Sequence, residues 1–291
     1  MLHTIQNLSS WAEPIDPETK AESLMALENG KVIYLPQLTF EFNDVEKALL
    51  TPSVLAQGSK NICFDPQHKA LKRSTTVAKS AIELAILMTR FYENSHSILT
   101  RLFPHYQEAL ITGRTSYRPI EIEGRKTSIL KDDTRLHVDA FPATPNAGKR
   151  ILRVFSNVNP HKQSRLWHLG ESFKEVVDEF LPSLRKPCWG SRRLLSTFKL
   201  TKSYRTLYDH YMLSLHNQMK LSDTYQKKVN KLEMPFPAGS TWIVMTDEVS
   251  HAALSGQFML EQTFYLPVNA MQNPERSPLR VLEKALVLSL V

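Results

Sequence analysis

His137 and Asp139 are the residues whose types and spacing most directly suggest chemistry. They lie in the segment RLHVDAF, whose composition is typical of a short β-strand. In a strand, residues two apart share a face, so the imidazole and the carboxylate can point at one metal ion. Together with one distant histidine they would form a triad that binds Fe(II) and leaves positions open for a cosubstrate and dioxygen. A His-x-Asp pair also occurs by chance, so a purely structural role stays open at this point.

The third ligand of such a triad has to be another histidine, and His251 is the best candidate. It follows the apolar strand TWIVM within DEVSHAALSG, where small neighbours let a ligand approach. Asp247 and Glu248 are alternative carboxylate ligands, but they form no same-face pair with a histidine at strand spacing. Packing or anion contact fits the other nearby histidines better: His161, His168, His210 and His216. The chain has no HExxH, P-loop or GxSxG pattern, which disfavours zinc hydrolases, P-loop enzymes and serine hydrolases.

The positive charge of the chain is concentrated in two segments. There are 36 basic and 29 acidic residues, a net charge of +7, and twelve of the bases lie in two windows without any acid. Residues 140–170 hold five of these bases and residues 180–208 hold seven, so the rest of the chain carries a net charge of −5. Such segregation favours an anionic partner, with a solvated basic face as the alternative. Nucleic acid is disfavoured, because neither window contains a recognisable reading motif.

The order of the predicted elements indicates a single domain over residues 1–291 with an α+β fold. A mixed N-terminal part, residues 1–116, precedes a strand-rich part, residues 117–268. A helical insertion at about residues 172–230 interrupts the strands. Strands on both sides of a helical insertion are typical of a β-barrel or double-sheet jelly roll with helices packed outside.

The C-terminal segment and the cysteines bear on location. Residues 278–291 form a predicted short apolar helix that packs on the body, forms a dimer or touches a membrane surface, and packing is the simplest of the three. Only Cys63 and Cys188 are present, which favours reduced thiols and a cytoplasmic protein. No apolar run approaches the ~20 residues of a membrane-spanning helix, and we expect no secretory signal.

Three longer blocks resemble the Kdo hydroxylase family: RLHVDAFPATPNAGKRILRVFSNVNP, RLWHLGESF and FPAGSTWIVMTDEVSHAALSGQFMLEQTFYLP. Members of that family are Fe(II)- and 2-oxoglutarate-dependent dioxygenases that hydroxylate the Kdo sugar of bacterial lipopolysaccharide to Ko. The resemblance extends into GKVIYLPQLTF and covers most of the chain. It implies a double-stranded β-helix, a jelly-roll or cupin-like core with external helices. It also implies Fe(II), 2-oxoglutarate and dioxygen as cofactor and cosubstrates, with His137, Asp139 and His251 as the catalytic iron ligands.

One region departs from the pattern of many 2-oxoglutarate enzymes. In those enzymes an arginine about ten residues beyond the distal histidine binds the far carboxylate of the cosubstrate, but Glu261 and Gln262 occupy that region here. Arg150 and Arg153 are the alternative anchors, and Gln262 is a further candidate for cosubstrate binding. The two arginines are three residues apart, so in a regular strand only one of them points into the barrel. We favour Arg153, while surface positions for both stay open.

The substrate that the resemblance implies would explain the charged windows. Kdo carries a carboxylate and its lipid A anchor carries phosphates, and arginine forks match both groups. Arg165, Arg192 and Arg193 are the candidate substrate contacts. Trp167 and Trp189 are candidates for stacking on sugar, although buried packing is the commoner role of tryptophan. A lipid substrate also implies peripheral contact with the anionic inner membrane, and an oligomer is compatible with the sequence.

Two other functions stay open on the sequence alone. A dioxygenase of the same fold could act on another substrate, such as a protein side chain. A non-catalytic barrel could instead bind anionic glycans through the two basic windows.

Overall fold

The computed structural model describes residues 2–75, 78–187 and 203–291. Within these ranges the chain forms seven α-helices and eleven β-strands, which confirms the predicted α+β fold. The helices are α1 (Pro17–Glu28), α2 (Asp44–Lys47), α3 (Ala78–Leu102), α4 (Phe173–Phe180), α5 (Leu207–Leu221), α6 (Asp223–Lys228) and α7 (Pro278–Leu286). The strands are β1 (Leu2–Thr4), β2 (Val32–Leu35), β3 (Ile62–Asp65), β4 (Ala70–Lys72), β5 (Ile111–Arg118), β6 (Arg150–Asn157), β7 (Arg165–Leu169), β8 (Leu232–Phe236), β9 (Thr241–Met245), β10 (His251–Ser255) and β11 (Met259–Leu266).

The described strands form two sheets. The larger sheet has the order β1-β2-β9-β6-β11-β5-β3-β4, and the smaller sheet has the order β10-β7-β8. Neighbouring strands are antiparallel except β1 and β2, which run parallel. Because β1 to β4 belong to the larger sheet, that sheet begins well before the boundary at residue 117 that the sequence predicts for the strand-rich part.

Strand β6 lies between two packing layers. All eight of its residues are buried. Val154 contributes to the core that the larger sheet forms with the helices. Phe155, the next residue, belongs to a second apolar cluster that includes Trp167 of the smaller sheet. Successive side chains therefore meet different layers, and the same alternation places Arg150 and Arg153 on opposite faces of the larger sheet.

Aromatic rings join the two sheets. Phe236 of β8 stacks on Trp242 of β9 with ring centroids 4.0 Å apart. Trp242 also stacks on Phe155 of β6 at 5.3 Å. Trp167 of β7 meets the edge of Phe155 at 5.1 Å. Pairs of this kind each add about 0.5–1.5 kcal/mol beyond the burial of apolar area, so they fix the spacing of the sheets beside the candidate site.

The segment RLHVDAF differs from its prediction, because it does not form a strand. Its only strand-like pairing within the described residues is an isolated bridge between His137 and His251. Two residues further on, the backbone N–H of Asp139 donates to the carbonyl oxygen of Thr246 at 2.8 Å. The backbone of this segment thus pairs first with β10, at His251, and then with the turn after β9, at Thr246. Because the partner changes, the segment cannot form a continuous ladder of hydrogen bonds with one strand.

The helices that follow β7 lie in two parts of the chain. Helices α4, α5 and α6 lie within residues 172–230, and α7 begins at Pro278. The last helix ends at Leu286, short of the predicted end, because Val287 adopts a left-handed conformation with φ 52°. Leu282 of this helix is buried in the main core, so α7 packs on the body. None of the helices in the described ranges is long and apolar enough to cross a membrane.

Candidate metal centre

His137 and His251 face each other across two extended segments. The backbone N–H of His137 donates to the carbonyl oxygen of His251 at 3.0 Å, and the reverse bond measures 2.9 Å. Their rings lie side by side with centroids 4.7 Å apart. One ligand atom each of His137, Asp139 and His251 lies within 4.8 Å of the others, and all three residues are buried. The structure therefore brings together the three residues that the sequence singled out.

Backbone carbonyls orient both imidazole rings. The Nδ1 atom of His137 lies 2.8 Å from the carbonyl oxygen of Arg135, and that of His251 lies 2.8 Å from the carbonyl oxygen of Val249. Since a carbonyl oxygen only accepts, each Nδ1 carries the proton and each Nε2 keeps its lone pair. Burial lowers the pKa of both His137 and His251, so the rings are neutral, as metal binding requires.

The carboxylate of Asp139 is ionised and incompletely satisfied. Burial raises its pKa, but the positive charge of Arg153 opposes burial, and the balance holds that pKa well below the usual range. Arg153 Nη1 lies 3.2 Å from Asp139 Oδ2, yet this oxygen accepts no hydrogen bond from any described residue. The ion pair with Arg153 compensates the charge of this oxygen, but its unused lone pairs can still bind a second cation. The donor set of two neutral imidazoles and one carboxylate therefore fits a divalent metal ion.

Three arginines line the small cavity beside this cluster, which has a volume of about 70 Å³: Arg118, Arg153 and Arg165. Glu261 lies between the first two of them. Arg118 donates to Glu261 Oε2 through Nη2 at 2.8 Å, and Arg153 Nη1 lies 3.4 Å from Glu261 Oε1. Burial raises the pKa of Glu261, but Arg153 and Arg118 lower it further, so this side chain is a carboxylate. An acid thus occupies the region in which the resemblance to 2-oxoglutarate enzymes led us to look for an arginine, and the bases come from β5, β6 and β7.

Two of these arginines have unused donors. The Nε atoms of Arg153 and Arg165 are buried and make no hydrogen bond to the described part of the chain. Arg165 Nη1 donates to the carbonyl oxygen of Gly256 at 3.1 Å. Burial, with a contribution from nearby Arg118, lowers the pKa of Arg165 to about 9. These donors give the cavity the capacity to bind a small anion next to the metal ligands.

The structure excludes a solvated basic face, the alternative interpretation, for the arginines of the first basic window. Its arginines, Arg150, Arg153 and Arg165, are buried and do not form an exposed basic face. Arg150 is also wrong as a cosubstrate anchor, because it points away from the cluster and pairs with Asp247 at 2.8 Å and Glu248 at 2.5 Å. Buried charges need such partners, which leaves no guanidinium donor for a ligand.

Gln262 is placed away from the cluster as well. Its Oε1 accepts from the hydroxyl of Thr115, and its Nε2 donates to the carbonyl oxygen of Thr263, on the helix-facing side of the larger sheet. Its neighbour Glu261 points to the cavity instead, since successive residues of a strand face opposite ways. The Gln262 prediction is therefore wrong. The predicted substrate contacts Arg192 and Arg193, and also Trp189, lie outside the described residues.

The sequence reasoning missed two features of this site. Arg118 was not considered, although it alternates with Arg114 and Ser116 along one face of β5. Trp167 is buried and stacks on the His251 ring, with centroids 5.2 Å apart, so it supports a proposed metal ligand and is not free to cover a sugar. The arginine alternation was visible in TGRTSYR, but only the pairing of β5 with β11 reveals Glu261 as its partner.

Comparisons with known proteins agree with this geometry. Residues 10–287 match the family described as 3-deoxy-D-manno-oct-2-ulosonic acid (Kdo) hydroxylase. The chain is similar to the crystal structure of the Kdo hydroxylase KdoO, a non-heme Fe(II) alpha-ketoglutarate dependent dioxygenase, in complex with alpha-ketoglutarate and Fe(III). That match has 47% identity and a TM-score of 0.96, and covers 99% of this chain and 97% of the other. The cobalt(II) complex of KdoO matches with the same identity and coverage and a TM-score of 0.97. No significant match was found among curated protein sequences.

Proposed function

We propose that this chain, which belongs to the Kdo hydroxylase family, is an Fe(II)- and 2-oxoglutarate-dependent dioxygenase that hydroxylates the Kdo sugar of Kdo-lipid A to Ko. One observation carries the proposal. His137, Asp139 and His251 converge within 4.8 Å in a cavity that also contains unsatisfied arginine donors. Two histidines and one carboxylate are the ligand set of non-heme Fe(II) oxygenases. Arginine donors bind carboxylates such as those of 2-oxoglutarate through charge-assisted hydrogen bonds.

We assign the two facing sheets to a double-stranded β-helix within a single domain of residues 1–291. Support comes from the antiparallel pairing of β5, β11, β6 and β9 in one sheet and of β10, β7 and β8 in the other. Aromatic packing between Trp167 and Phe155 closes the space between the sheets at the metal centre. In this arrangement the proposed ligands lie at the edge between the sheets, and the helices cover the outer face.

The metal ligands in this proposal are the Nε2 atoms of His137 and His251 and a carboxylate oxygen of Asp139. When bound, Fe(II) would activate dioxygen, which is the oxidant, and 2-oxoglutarate and the hydroxylated C–H bond of the sugar would each supply two of the four electrons that dioxygen accepts. Burial keeps both imidazoles neutral, and the carbonyl oxygens of Arg135 and Val249 fix the tautomer that leaves each Nε2 lone pair free. It also holds Asp139 ionised through Arg153, so the site needs no proton release from these residues before a cation binds.

Arg153 is the proposed anchor for the far carboxylate of 2-oxoglutarate, with Arg165 as a second donor. Both line the cavity of the metal cluster, and both have a buried Nε without a partner among the described residues. This moves Arg165 from the predicted substrate contacts to the cosubstrate. The apolar side chains of Phe155, Trp167 and Met259 line the same cavity and keep water away from the bound anion. In such surroundings an arginine–carboxylate bond is stronger than in water.

We also propose that the enzyme meets its substrate at the cytoplasmic surface of the inner membrane. The lipid nature of Kdo-lipid A supports this, as do the exposed bases Arg185 and Lys186 in the second basic window. Basic residues near an anionic surface each add about 1 kcal/mol to binding. Co-sedimentation with anionic vesicles should therefore weaken when both residues are replaced by glutamine.

The function is tested by supplying Fe(II), 2-oxoglutarate and dioxygen with either Kdo-lipid A or a panel of peptides, and by following succinate together with the mass of the acceptor. We expect succinate to form with Kdo-lipid A, whose sugar gains one oxygen atom. Hydroxylation of a peptide instead would indicate a dioxygenase with another substrate. Glycolipid binding that persists in His137→Ala, without turnover in either protein, would indicate a binding protein.

A further inference from the structure

An open cleft adjoins the metal centre on the same face of the larger sheet. Its volume is about 500 Å³, and it shares Arg118, Arg153 and Glu261 with the small cavity of the metal cluster. Residues of β3, β5 and β11 line it, whereas none of its described lining residues belongs to the smaller sheet. The cleft is therefore the part of this face that the smaller sheet leaves open. Its size falls within the range of about 300–1,000 Å³ of small-molecule sites, while the metal cavity is too small for an eight-carbon sugar.

The charged residues of the cleft leave an excess of positive charge. Its lining contains these charged side chains: Asp65, Arg73, Arg114, Arg118, Arg153 and Glu261. Glu261 is held by Arg118 and Arg153. Asp65 accepts from the backbone N–H groups of residues 67 and 68, and its other oxygen contacts the ring of His68. Both carboxylates are thus already engaged, and two arginines remain to attract an anion.

Arg114 is the available one of these two arginines. Arg73 is tethered through Nη1 to Asn61 Oδ1 at 3.2 Å. Arg114 is exposed and forms no hydrogen bond or ion pair with the described part of the chain. A bulge in the pairing of β5 with β11 lies beside it at Gly113, where a Cβ atom would be only 2.6 Å from the carbonyl oxygen of Thr263. Glycine permits this close approach, and the bulge sets the direction of the Arg114 side chain.

Two aromatic residues line the cleft close to the metal centre. The ring centroid of Phe141 lies 5.4 Å from the guanidinium carbon of Arg153, which itself contacts Asp139. Tyr265 lines the cleft from β11, and its hydroxyl makes no hydrogen bond to a described residue. Burial raises the pKa of Tyr265, so the hydroxyl keeps its proton and can donate. Aromatic rings suit the C–H faces of a sugar, and the free donors suit its oxygen atoms.

We propose that this cleft is the subsite for the sugar acid, in which Arg114 pairs with the Kdo carboxylate and Tyr265 donates a hydrogen bond to the same sugar. The inference rests on the proposed function and assigns its substrate contacts. A carboxylate matches one free guanidinium fork, and the aromatic wall beside it requires a ring rather than a phosphate alone. The lipid anchor then extends outward to solvent, and the sugar ring lies next to Arg153 at the metal centre.

The test compares wild type with Arg114→Gln on three substrates: Kdo-lipid A, the same glycolipid with the Kdo carboxylate as its methyl ester, and the same glycolipid without lipid A phosphates. We expect Arg114→Gln to raise KM about tenfold to a hundredfold for the native and the dephosphorylated substrates, because a charge-assisted pair is lost. For the methyl ester, the KM of wild type should already be high, and Arg114→Gln should raise it little further. Affinities for Fe(II) and 2-oxoglutarate should not change.

The matched control is Arg280→Gln, which removes an arginine that pairs with Glu283 on α7 and does not line the cleft. Tyr265→Phe tests the subsite with a minimal change and should raise KM several-fold without lowering the melting temperature. Equal KM values for wild type and both cleft variants would overturn the inference. If the KM difference between wild type and Arg114→Gln disappears only on the dephosphorylated substrate, Arg114 binds a lipid A phosphate instead of the Kdo carboxylate. If wild type itself yields no succinate with Kdo-lipid A, the proposed function has failed and not merely this subsite.

Discussion

Arg150 and Arg153 lie three residues apart on β6, and their surroundings differ sharply. Arg150 uses every guanidinium nitrogen: Nε and Nη2 bind Asp247 and Glu248, and Nη1 lies 3.3 Å from the sulfur of Met271. Arg153 contacts the carboxylates at the metal centre, but its Nε has no partner among the described residues. We call Arg150, Asp247 and Glu248 the closed cluster, because every guanidinium nitrogen of Arg150 has a partner. Arg153 with the carboxylates of the metal centre is the incomplete cluster, because a buried nitrogen lacks one. Both arginines are buried, so it is the satisfaction of their hydrogen-bond donors that distinguishes a structural ion cluster from a binding site.

The closed cluster also supports the open one. Asp247 and Glu248 follow β9 and precede His251 by only a few residues. Thr246, in the same turn, accepts the hydrogen bond from the backbone N–H of Asp139. Arg150 therefore holds, from the far face of the sheet, the turn that precedes His251 and accepts the hydrogen bond from the backbone of Asp139. It is a positioning residue rather than a catalytic one.

The largest expected effect is the loss of a proposed metal ligand from the incomplete cluster. His251→Ala should lower activity by more than about a hundredfold, the upper end of what changes outside the ligand set cost. The chain should still fold, since the bridge between residues 137 and 251 uses backbone atoms only. Activity assays together with a Fe(II) titration and circular dichroism check this. Full activity in the variant would remove His251 from the ligand set.

A similar truncation in the closed cluster should act on stability. Arg150→Met leaves two carboxylates buried without their cation and should cost about 3–5 kcal/mol of unfolding free energy. Adding Asp247→Asn and Glu248→Gln removes the stranded charges and should recover most of that loss. Urea unfolding of the single and triple variants measures both. A single variant as stable as wild type would show that the cluster is not what holds this turn.

Arg153→Met should impair cosubstrate binding more than stability, the reverse of what we expect for Arg150→Met. We expect KM for 2-oxoglutarate to rise about tenfold to a hundredfold, because a charge-assisted contact to the dicarboxylate is lost. The loss of stability should be less than half that of Arg150→Met, since Glu261 retains its bond to Arg118. Steady-state kinetics and urea unfolding on the same preparations compare the two arginines directly. A rise in KM for the glycolipid alone would reassign Arg153 to the substrate.

The smallest expected effect concerns pH. Burial raises the pKa of Glu248 to about 7, with Asp247 adding to the shift and Arg150 opposing it. The folded protein therefore holds this proton more tightly than the unfolded chain, and the stability gained is present at acidic pH and lost as pH rises through about 7. Between pH 5 and 8, wild type should lose on the order of 1 kcal/mol relative to Glu248→Gln. Exposed Glu123→Gln serves as the control, and parallel curves for all three proteins would contradict the assignment.

Much of the metal cluster could be predicted from the sequence. Spacing of two predicted that His137 and Asp139 share one side, and they do, although their segment forms only an isolated bridge and no strand. The apolar strand before His251 marked it as a residue entering the core. The opposite directions of Arg150 and Arg153 also followed from strand alternation. These features depend on local periodicity, which one sequence displays.

The remainder depends on contacts that local periodicity does not contain. The ion pair of Arg118 with Glu261 requires the register of β5 against β11. The basic window of residues 140–170 predicted an anionic partner or a solvated face, and its periodicity did not show that its arginines are buried against carboxylates from other segments. The prediction for Gln262 failed because the sequence does not show which face of β11 lines the cavity, and the Gln262 side chain lies on the other face.

The proposed hydroxylation is tested most directly by a single turnover with isotopically labelled dioxygen, wild-type protein, Fe(II), 2-oxoglutarate and Kdo-lipid A. We expect the labelled sugar to appear in the same amount as succinate, with one atom from dioxygen in each product. An unmodified sugar, from protein that has bound both Fe(II) and 2-oxoglutarate, would contradict it.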